Sequence, residues 1–309
     1  MSAPGYPTAT VTVLTYNGER HLEALLTAVE GQRYAADFDI LVIDSGSTDR
    51  TLAIVGAHPR VRLHQIPNSE FQHGATRNLA AQLATGEIVV YLTHDAVPAS
   101  DGWLAGLVLP LADDERIAAV VGKQVPRPGC PPILKYDIQR VFERLGPDYA
   151  TTVVVDDGSI SEGDRSAAKF YSDANSAARR SVLTGPVPYP LVDYAEDQAF
   201  AEAVLAAGLR KAYAPRGAVE HSNDLTLGTL GARITEEVVG LRRIGTVIPP
   251  LSLLGALRQA VKWSTVDAAW ILVDRELTAP RKLGWLFANP WFHLVKWLGF
   301  RRGSRAPIA

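Results

Sequence analysis

The sequence predicts an α/β fold in which helices flank both faces of a mainly parallel sheet, followed by a C-terminal helical tail. First, β-branched segments alternate with segments of helical spacing through the first 125 residues. Second, three of the predicted strands end in clusters of polar residues. Third, the composition changes near Pro249-Pro250, and beyond this pair the chain is basic and rich in tryptophan.

Strand and helix patterns follow one another along the chain. Alternating or β-branched residues predict strands at 9–15, 38–43, 61–66, 87–92, 117–125 and 211–214. Apolar residues at helical spacing predict helices at 19–29, 51–57, 75–84, 103–111 and 196–207. We expect Gly86 and Gly208 to cap the helices that precede them. Between residues 126 and 164, clustered prolines and an Asp-Asp-Gly sequence predict a long irregular stretch.

The bulk composition excludes several classes of protein. The chain has 309 residues, a net charge of −2 and 47% hydrophobic residues, which argues against a nucleic-acid-binding or disordered protein. Cys130 is the single cysteine, so neither an internal disulfide nor a cysteine-based zinc site is expected. We find no signal segment and no apolar run of about 18–20 residues. We therefore expect a cytoplasmic protein that does not cross a bilayer.

The tail, residues 251–309, differs from the rest of the chain in charge. It contains nine Lys/Arg and three Asp/Glu, a net charge of +6, whereas the remainder carries −8. Five of the six tryptophans also lie there. Indole rings and basic side chains together suit the headgroup region of a bilayer. We predict peripheral association with the inner face of the cell membrane; a purely structural helical cap is the alternative.

Polar side chains follow three of the predicted strands. Thr15 ends the first strand, Asp44 ends the second, and His94 and Asp95 follow the fourth. The carboxyl ends of parallel strands meet at one edge of a sheet, where ligands bind. Neither a G-x-G-x-x-G sequence nor a P-loop sequence is present, so dinucleotide-binding and P-loop proteins are disfavoured. Asp44 and Asp95 offer carboxylates for a nucleotide site, and Arg77 offers a cation for its phosphates.

Several segments, in order, resemble the family 2 inverting glycosyltransferases of the GT-A fold. These segments are VTVLTYNGE, LVIDSGSTD, VVYLTHDAVP and YAEDQAF with a later EHS. The segment FQHGATRNLA is similar to the F-x-H-G-x-x-R-N signature of bacterial rhamnosyltransferases in that family. The resemblance spans residues 8–225. It implies a GT-A domain at 1–250, with a donor half at about 1–125 and an acceptor half at about 126–250.

The resemblance also implies an activity. It suggests transfer of L-rhamnose from dTDP-rhamnose to a lipid-linked or cell-envelope saccharide, with Mg²⁺ or Mn²⁺ as cofactor. The same reaction with another donor, such as a UDP-hexose, is one alternative. A non-catalytic, nucleotide-binding membrane scaffold is another. A nucleotidyltransferase would need a glycine-rich basic loop after the first strand, and Tyr16-Asn17-Gly18-Glu19 is not such a loop.

Metal and catalytic roles follow from the same resemblance. Asp95 matches the last carboxylate of a D-x-D-type motif that binds the divalent metal, although Thr93 stands where the family has the first carboxylate. His221 matches a histidine that can approach the metal or the diphosphate. Asp197 matches the aspartate of the family's E-D pair, the general base.

Donor-binding roles are implied for six residues. They are Thr15, Asp44, His73, Arg77, Asn78 and His94. Arg77 is expected in the first turn of its helix, where a guanidinium and the helix N-terminus both favour phosphate.

Several of these residues also fit structural roles. Asp44 suits an Asx-turn, Asp95 and Asp197 suit helix caps, and His73 and His221 suit buried or structural histidines. The sequence does not decide between these alternatives.

Overall fold

The computed structural model describes residues 5–308, without the side chains at positions 162 and 163. Within this range nine strands form one sheet. The strands are β1 (Ala9–Thr15), β2 (Phe38–Asp44), β3 (Val61–Gln65), β4 (Ile88–Thr93), β5 (Val97–Pro98), β6 (Ile117–Val125), β7 (Thr152–Val154), β8 (Asn175–Arg179) and β9 (Arg210–Glu220). Their order is β3-β2-β1-β4-β8-β6-β9-β5, and β7 pairs with β9.

Eleven α-helices lie within the described residues. They are α1 (Leu22–Glu30), α2 (Thr51–Gly56), α3 (His73–Leu83), α4 (Trp103–Asp113), α5 (Pro132–Glu143), α6 (Glu162–Lys169), α7 (Arg180–Leu183), α8 (Glu196–Ala206), α9 (Leu227–Arg243), α10 (Leu253–Val273) and α11 (Ala279–Arg305). A short 3-10 helix, Asn68–Glu70, precedes α3. The predicted α/β fold with a helical C-terminal segment is confirmed.

The sheet is parallel in one half and mixed in the other. Strands β3, β2, β1 and β4 run parallel, as the alternation of strands and helices predicted. Between β4 and β6 lies β8, which runs antiparallel to both. The sequence of β8, NSAAR, has no run of large apolar residues, so hydrophobic pattern alone did not reveal this strand.

The core of the parallel half explains its regular pattern. Every residue of β1 except Leu14 is buried, as are Leu22 and Leu25 of α1 and Trp103 of α4. Burial of large apolar side chains on this face favours one register of the strands and thus aligns their carboxyl ends.

Two of the local predictions need correction. Gly86 does not cap α3, since the cap residue Ala84 is extended; instead a Cβ at Gly86 would lie 2.5 Å from the carbonyl carbon of Ala9, so glycine permits a close backbone approach there. The stretch 126–164 is not irregular, because it contains α5, β7 and the start of α6. In contrast, Gly208 follows α8 with φ +72, as its predicted capping role requires.

The chain forms two compact units. One comprises the chain up to Arg127 together with Arg140–His221, and the other comprises Pro128–Gln139 and Ser222–Ala309. The predicted boundary near Pro250 therefore lies inside the second unit.

Packing of α9 against α11 explains why the second unit begins earlier than predicted. A Cβ at Gly299 would lie 2.6 Å from the carbonyl oxygen of Gly231, so the two helices touch through glycines. Arg242 Nη1 also donates to the Gly303 carbonyl at 2.8 Å.

Among the described helices, none is both long and apolar enough to span a membrane.

Candidate active site at the carboxyl edge of the sheet

Thr15, at the end of β1, has a buried and unsatisfied hydroxyl. Its Oγ1 has no hydrogen-bond partner among residues 5–308. A Cβ at Gly18 would lie 2.7 Å from this oxygen and 3.0 Å from Cγ of His94. Glycine at this position therefore lets Thr15 and His94 approach each other closely. A buried hydroxyl of this kind is one that a bound ligand can satisfy.

Asp44, at the end of β2, shapes the loop that follows it. Its Oδ2 accepts hydrogen bonds from the backbone amides of Gly46 and Ser47, both at 3.0 Å. The Ser47 hydroxyl bonds to Oδ1, and Gly46 adopts φ +83. The Asx-turn considered from the sequence is therefore present. The donor-binding role of Asp44 stays a prediction.

The loops after β1 and β2 are tied to each other. Asn17 Oδ1 accepts a hydrogen bond from the Thr48 amide at 2.8 Å, and the Asn17 amide donates to the Ser47 hydroxyl at 2.8 Å. Asn17 has φ 48, in the left-handed region that asparagine tolerates better than most residues. These bonds hold the two loops together at the edge where Thr15 and Asp44 end their strands.

Asp95 and His221, the two predicted metal ligands, lie next to each other. Nε2 of His221 is 3.4 Å from Oδ2 of Asp95. Nδ1 of the same ring is 2.8 Å from Oε1 of Gln124, an oxygen that can only accept, so Nδ1 carries a proton. The imidazole is thereby oriented with Nε2 toward Asp95.

The charge on Asp95 is stabilised by its neighbours. Thr93 donates its hydroxyl to Oδ1 of Asp95 at 2.7 Å, so the residue that replaces the family's first carboxylate orients the second one. Burial by itself would raise the pKa of Asp95, but the interactions with His221 and Thr93 outweigh it and hold that pKa well below its usual value. The carboxylate is ionised throughout the neutral pH range.

Arg127 is a member of this site that the sequence analysis missed. Its Nη2 is 3.3 Å from Oδ2 of Asp95 and also donates to the Asp95 carbonyl oxygen. Arg127 lies two residues beyond β6. Extending the search for polar residues to the end of this strand would have found it.

The donor set at Asp95 and His221 suits a hard divalent cation that is also bound by phosphate. Such ions accept one or two protein carboxylates when phosphate oxygens complete the coordination. The two ligand atoms, 3.4 Å apart, are close enough for one ion to contact both. No group of three or more His, Cys, Asp or Glu residues suited to a metal occurs in the described part of the chain. The phosphates would therefore have to supply the remaining ligands.

Asp197 lies in the first turn of α8, in an environment that favours its protonated form. The helix follows Ala195, a non-glycine residue with φ 59. Oδ1 of Asp197 accepts the amide hydrogen of Gln198 at 2.7 Å. Burial, followed by repulsion from Glu196 and Asp173, raises the pKa of Asp197 to about 8, while Arg77 opposes this shift. A carboxyl group with this pKa can exchange a proton near neutral pH.

Arg77 lies in a different environment from the one predicted. Because α3 begins at His73 rather than at residue 75, Arg77 is in the second turn, and its expected place in the first turn is wrong. The side chain is buried. Its Nε is 2.6 Å from Oδ2 of Asp173, and its Nη1 is 2.6 Å from Oε1 of Glu196. The guanidinium is thus engaged by two carboxylates, and Asp173 is a second residue that the sequence analysis missed.

The other two residues of the signature lie on the same helix. His73 Nδ1 is 3.8 Å from Oε1 of Glu196, and half of its side chain is exposed. Asn78 donates to the carbonyl of Tyr189 and accepts from its amide, both at 2.9 Å. These two bonds fix the backbone that precedes α8. They give Asn78 a structural role, while donor binding by His73 and Asn78 stays a prediction.

A separate cavity lies closer to the amino end of β9. Its volume is about 350 Å³, and it is lined by residues that include Lys211, Tyr213 and Val154. None of the residues singled out from the sequence lines it.

Known proteins resemble this chain in sequence and in fold. A family model for glycosyl transferase family 2 matches residues 10–136. The chain is 31% identical to the O-antigen chain rhamnosyltransferase RfbN of Salmonella typhimurium, over 70% of this chain and 67% of that protein. It is also 31% identical to the O-antigen chain rhamnosyltransferase WbaN of Salmonella anatum, over 71% and 68% of the two chains. A solved mannosyltransferase, PcManGT from Pyrobaculum calidifontis in complex with GDP-Man and Mn²⁺, shares the fold, with a TM-score of 0.59, 23% identity and coverage of 95% and 88%.

Proposed function

Since the chain belongs to glycosyltransferase family 2 and transfers a sugar to a saccharide acceptor, we propose that its donor is dTDP-L-rhamnose and that it acts in polysaccharide biosynthesis at the cell envelope. The names of its two Salmonella relatives support this choice of sugar and pathway. The F-x-H-G-x-x-R-N signature in and before α3 supports it from the sequence. The acceptor would be a lipid-linked or cell-envelope saccharide.

The donor would bind at the edge formed by the loops after β1, β2 and β4. The unsatisfied hydroxyl of Thr15 supports this placement, because a nucleotide oxygen could satisfy it. Asp44 would present the second loop to the base or ribose, and His94 would lie beside the donor. Arg127 would place a positive charge near the diphosphate, since it already lies against Asp95.

A divalent cation, Mg²⁺ or Mn²⁺, would be held by Asp95 and His221 together with the donor phosphates. The Mn²⁺ in the related mannosyltransferase complex supports this assignment. Such an ion, when bound, stabilises negative charge on the departing diphosphate. The residues of this chain contribute an ionised carboxylate at Asp95, an imidazole oriented by Gln124, and a hydrogen bond from Thr93 that fixes the carboxylate.

The observation that carries the catalytic proposal is the environment of Asp197. An inverting transfer needs a base that removes the proton of the acceptor hydroxyl as its oxygen attacks the anomeric carbon. The pKa of Asp197 is raised to about 8, so its carboxylate binds an incoming proton far more tightly than an ordinary aspartate does. After the proton transfer, the carboxylic acid would be the more stable form in this environment.

The helical tail would hold the enzyme at the membrane. Leu254, Leu257 and Val261 of α10 are exposed, as are Leu283, Phe287 and Trp291 of α11. Each trio recurs at helical spacing, so each forms an apolar stripe on its own helix. Nearby basic residues are Arg258, Lys262, Arg281 and Lys282. Apolar stripes beside cationic side chains suit insertion into an anionic bilayer surface.

The proposal is tested by measuring nucleotide release from dTDP-rhamnose and from UDP-hexoses, with a saccharide acceptor and Mg²⁺ or Mn²⁺. We expect release of dTDP from the wild-type protein and at least about 10²-fold slower release from Asp197→Asn. Asp101→Asn removes an exposed carboxylate and serves as the control. Release from a UDP-hexose alone would overturn the choice of donor. Release from no donor would favour a non-catalytic scaffold, the alternative that the carboxylate missing at Thr93 supports.

A further inference from the structure

A buried cluster of charges surrounds the N-terminus of α8. Arg77 on α3 bridges Asp173, which precedes β8, and Glu196, the first residue of α8, with both N···O distances at 2.6 Å. In the sequence, Arg77 and Asp173 are about 100 residues apart, and Asp173 and Glu196 are about 20 residues apart. All three side chains are at least nine-tenths buried. The bridge therefore connects α8 to the sheet and to α3 through buried ion pairs.

Asp173 is held by two hydrogen bonds and one ion pair. Its Oδ1 accepts hydrogen bonds from the Tyr189 hydroxyl at 2.8 Å and from the Ser176 hydroxyl at 2.6 Å. Its Oδ2 faces Arg77. Oδ1 therefore accepts both hydrogen bonds, and Oδ2, which has no hydrogen-bond partner among residues 5–308, is compensated by the ion pair with Arg77.

The charges in the cluster do not balance. One guanidinium faces the carboxyl groups of Asp173, Glu196 and Asp197; the first two are buried from water, and Asp197 is partly buried. The other titratable groups that face this space are the phenols of Tyr91, Tyr171 and Tyr189, and His73 lies 3.8 Å from Glu196. Burying several carboxylates against a single cation is unfavourable unless one of them binds a proton. Burial also raises the pKa of Asp173, but Arg77 and the Ser176 and Tyr189 hydroxyls oppose that rise. Asp197 lies outside the bridge from Arg77 to Asp173 and Glu196, so we assign the proton to Asp197.

We propose that Asp173 is a positioning residue for the transfer reaction, which fixes α8 through Arg77 and makes Asp197 a stronger proton acceptor through its own negative charge. The proposal rests on the proposed role of Asp197 as the base. It is supported by the causes of the raised pKa of Asp197, which are burial first, then repulsion from Glu196 and from Asp173. It also explains why Arg77 is buried among carboxylates.

The test is the titration of Asp197 in the full-length protein and in Asp173→Asn. Asparagine keeps the size of the side chain and can still accept from Tyr189 and Ser176, but it removes the charge. Aspartate carboxyl carbons are labelled with ¹³C, and the Asp197 signal is identified by its absence in Asp197→Asn. We expect its titration midpoint to lie well above that of an ordinary aspartate and to move to lower pH in Asp173→Asn. The acid limb of the kcat/KM profile should move with it.

Matched variants separate the effect of the Asp173 charge on Asp197 from a general loss of structure. Asp267→Asn removes another fully buried carboxylate, one paired with His293 at 2.9 Å in the second compact unit, and should leave the Asp197 midpoint in place. Arg77→Gln should move the midpoint upward, opposite to Asp173→Asn, because it removes the opposing positive charge. If Asp173→Asn does not fold, Asp173→Ser, which is smaller and still polar, replaces it.

The titration and the turnover together distinguish the role of Asp173 from that of Asp197. An Asp197 midpoint that does not move in folded Asp173→Asn or Asp173→Ser overturns the role of Asp173. A midpoint that moves as expected, while Asp197→Asn keeps normal turnover, supports the electrostatic coupling and instead overturns the role of Asp197 as the base.

Discussion

Replacing Asp197 by asparagine should make the protein more stable as well as less active, and the gain should depend on pH. The substitution preserves size, and the asparagine oxygen can still accept the Gln198 amide hydrogen that Oδ1 now accepts at 2.7 Å. It removes a carboxyl group whose ionised form is disfavoured by burial and by the charges of Glu196 and Asp173. Active-site groups of this kind are held in place at a cost in stability.

The size of this stability gain follows from the raised pKa of Asp197. The pKa of Asp197 rises from 3.8 to about 8 on folding. Between these values the folded protein retains a proton that the unfolded chain releases, so the wild type loses stability by about 1.4 kcal/mol for each unit of rising pH. The contribution of Asp197 to the stability of the wild type is complete below pH 3.8 and is lost as the pH rises toward 8. From pH 5 to pH 7, Asp197→Asn should therefore gain about 3 kcal/mol relative to the wild type.

Urea unfolding of both proteins at several values between pH 5 and pH 9 measures this difference. Comparing the two proteins at each pH cancels the titration of groups that do not interact with Asp197. The difference in free energy of unfolding should grow with pH and level off above about pH 8. Asp101→Asn, which removes an exposed carboxylate paired with Arg33, controls for the loss of a negative charge as such. A difference that is the same at pH 5 and pH 7 would refute the reasoning.

Three further predictions concern other parts of the molecule. Asp95→Ala should abolish Mn²⁺-dependent donor binding in calorimetry while leaving the fold intact by circular dichroism; unchanged affinity would remove Asp95 from the metal site. Arg77→Ala leaves two buried carboxylates without their cation and should destabilise the fold by about 3–5 kcal/mol in urea unfolding, and a loss under about 1 kcal/mol would show that the pairs contribute little. Phe287→Ser with Trp291→Ser should weaken sedimentation with anionic vesicles at high salt more than at low salt, because salt screens charge but not apolar insertion. Equal sedimentation of this variant and the wild type would exclude that face of α11 as the membrane contact.

The tail variant is preferable to a truncation at Pro250. Removing α10 and α11 would uncover α9, whose Gly231 touches Gly299 and whose Arg242 bonds to Gly303. Loss of vesicle binding in such a truncation would then report damage to the second unit as well as loss of the apolar surface. The two exposed aromatic side chains can be changed without opening that packing.

The sequence by itself determined the features that depend on local pattern. The β-branched run of β1 and the helical spacing of buried apolar residues in α1 are local signals, so the parallel half of the sheet was predicted with nearly the observed boundaries. Since parallel strands align their ends, the convergence of Thr15 and His94 and the position of Asp44 followed from strand order. The ordered motifs identified the family, and the comparisons confirmed it.

Only the tertiary structure decided which side chains act on one another. Strand β8 is short, polar and antiparallel, so no hydrophobic period marks it, although it lies in the middle of the sheet. Asp173, just before that strand, meets Arg77 from far along the chain. The proton affinity of Asp197 depends on these through-space distances and on exclusion of water, and neither is encoded in the residues next to it in sequence. The packing of α3 against α8 likewise places the Glu196 carboxylate beside Arg77, a contact that no local pattern marks.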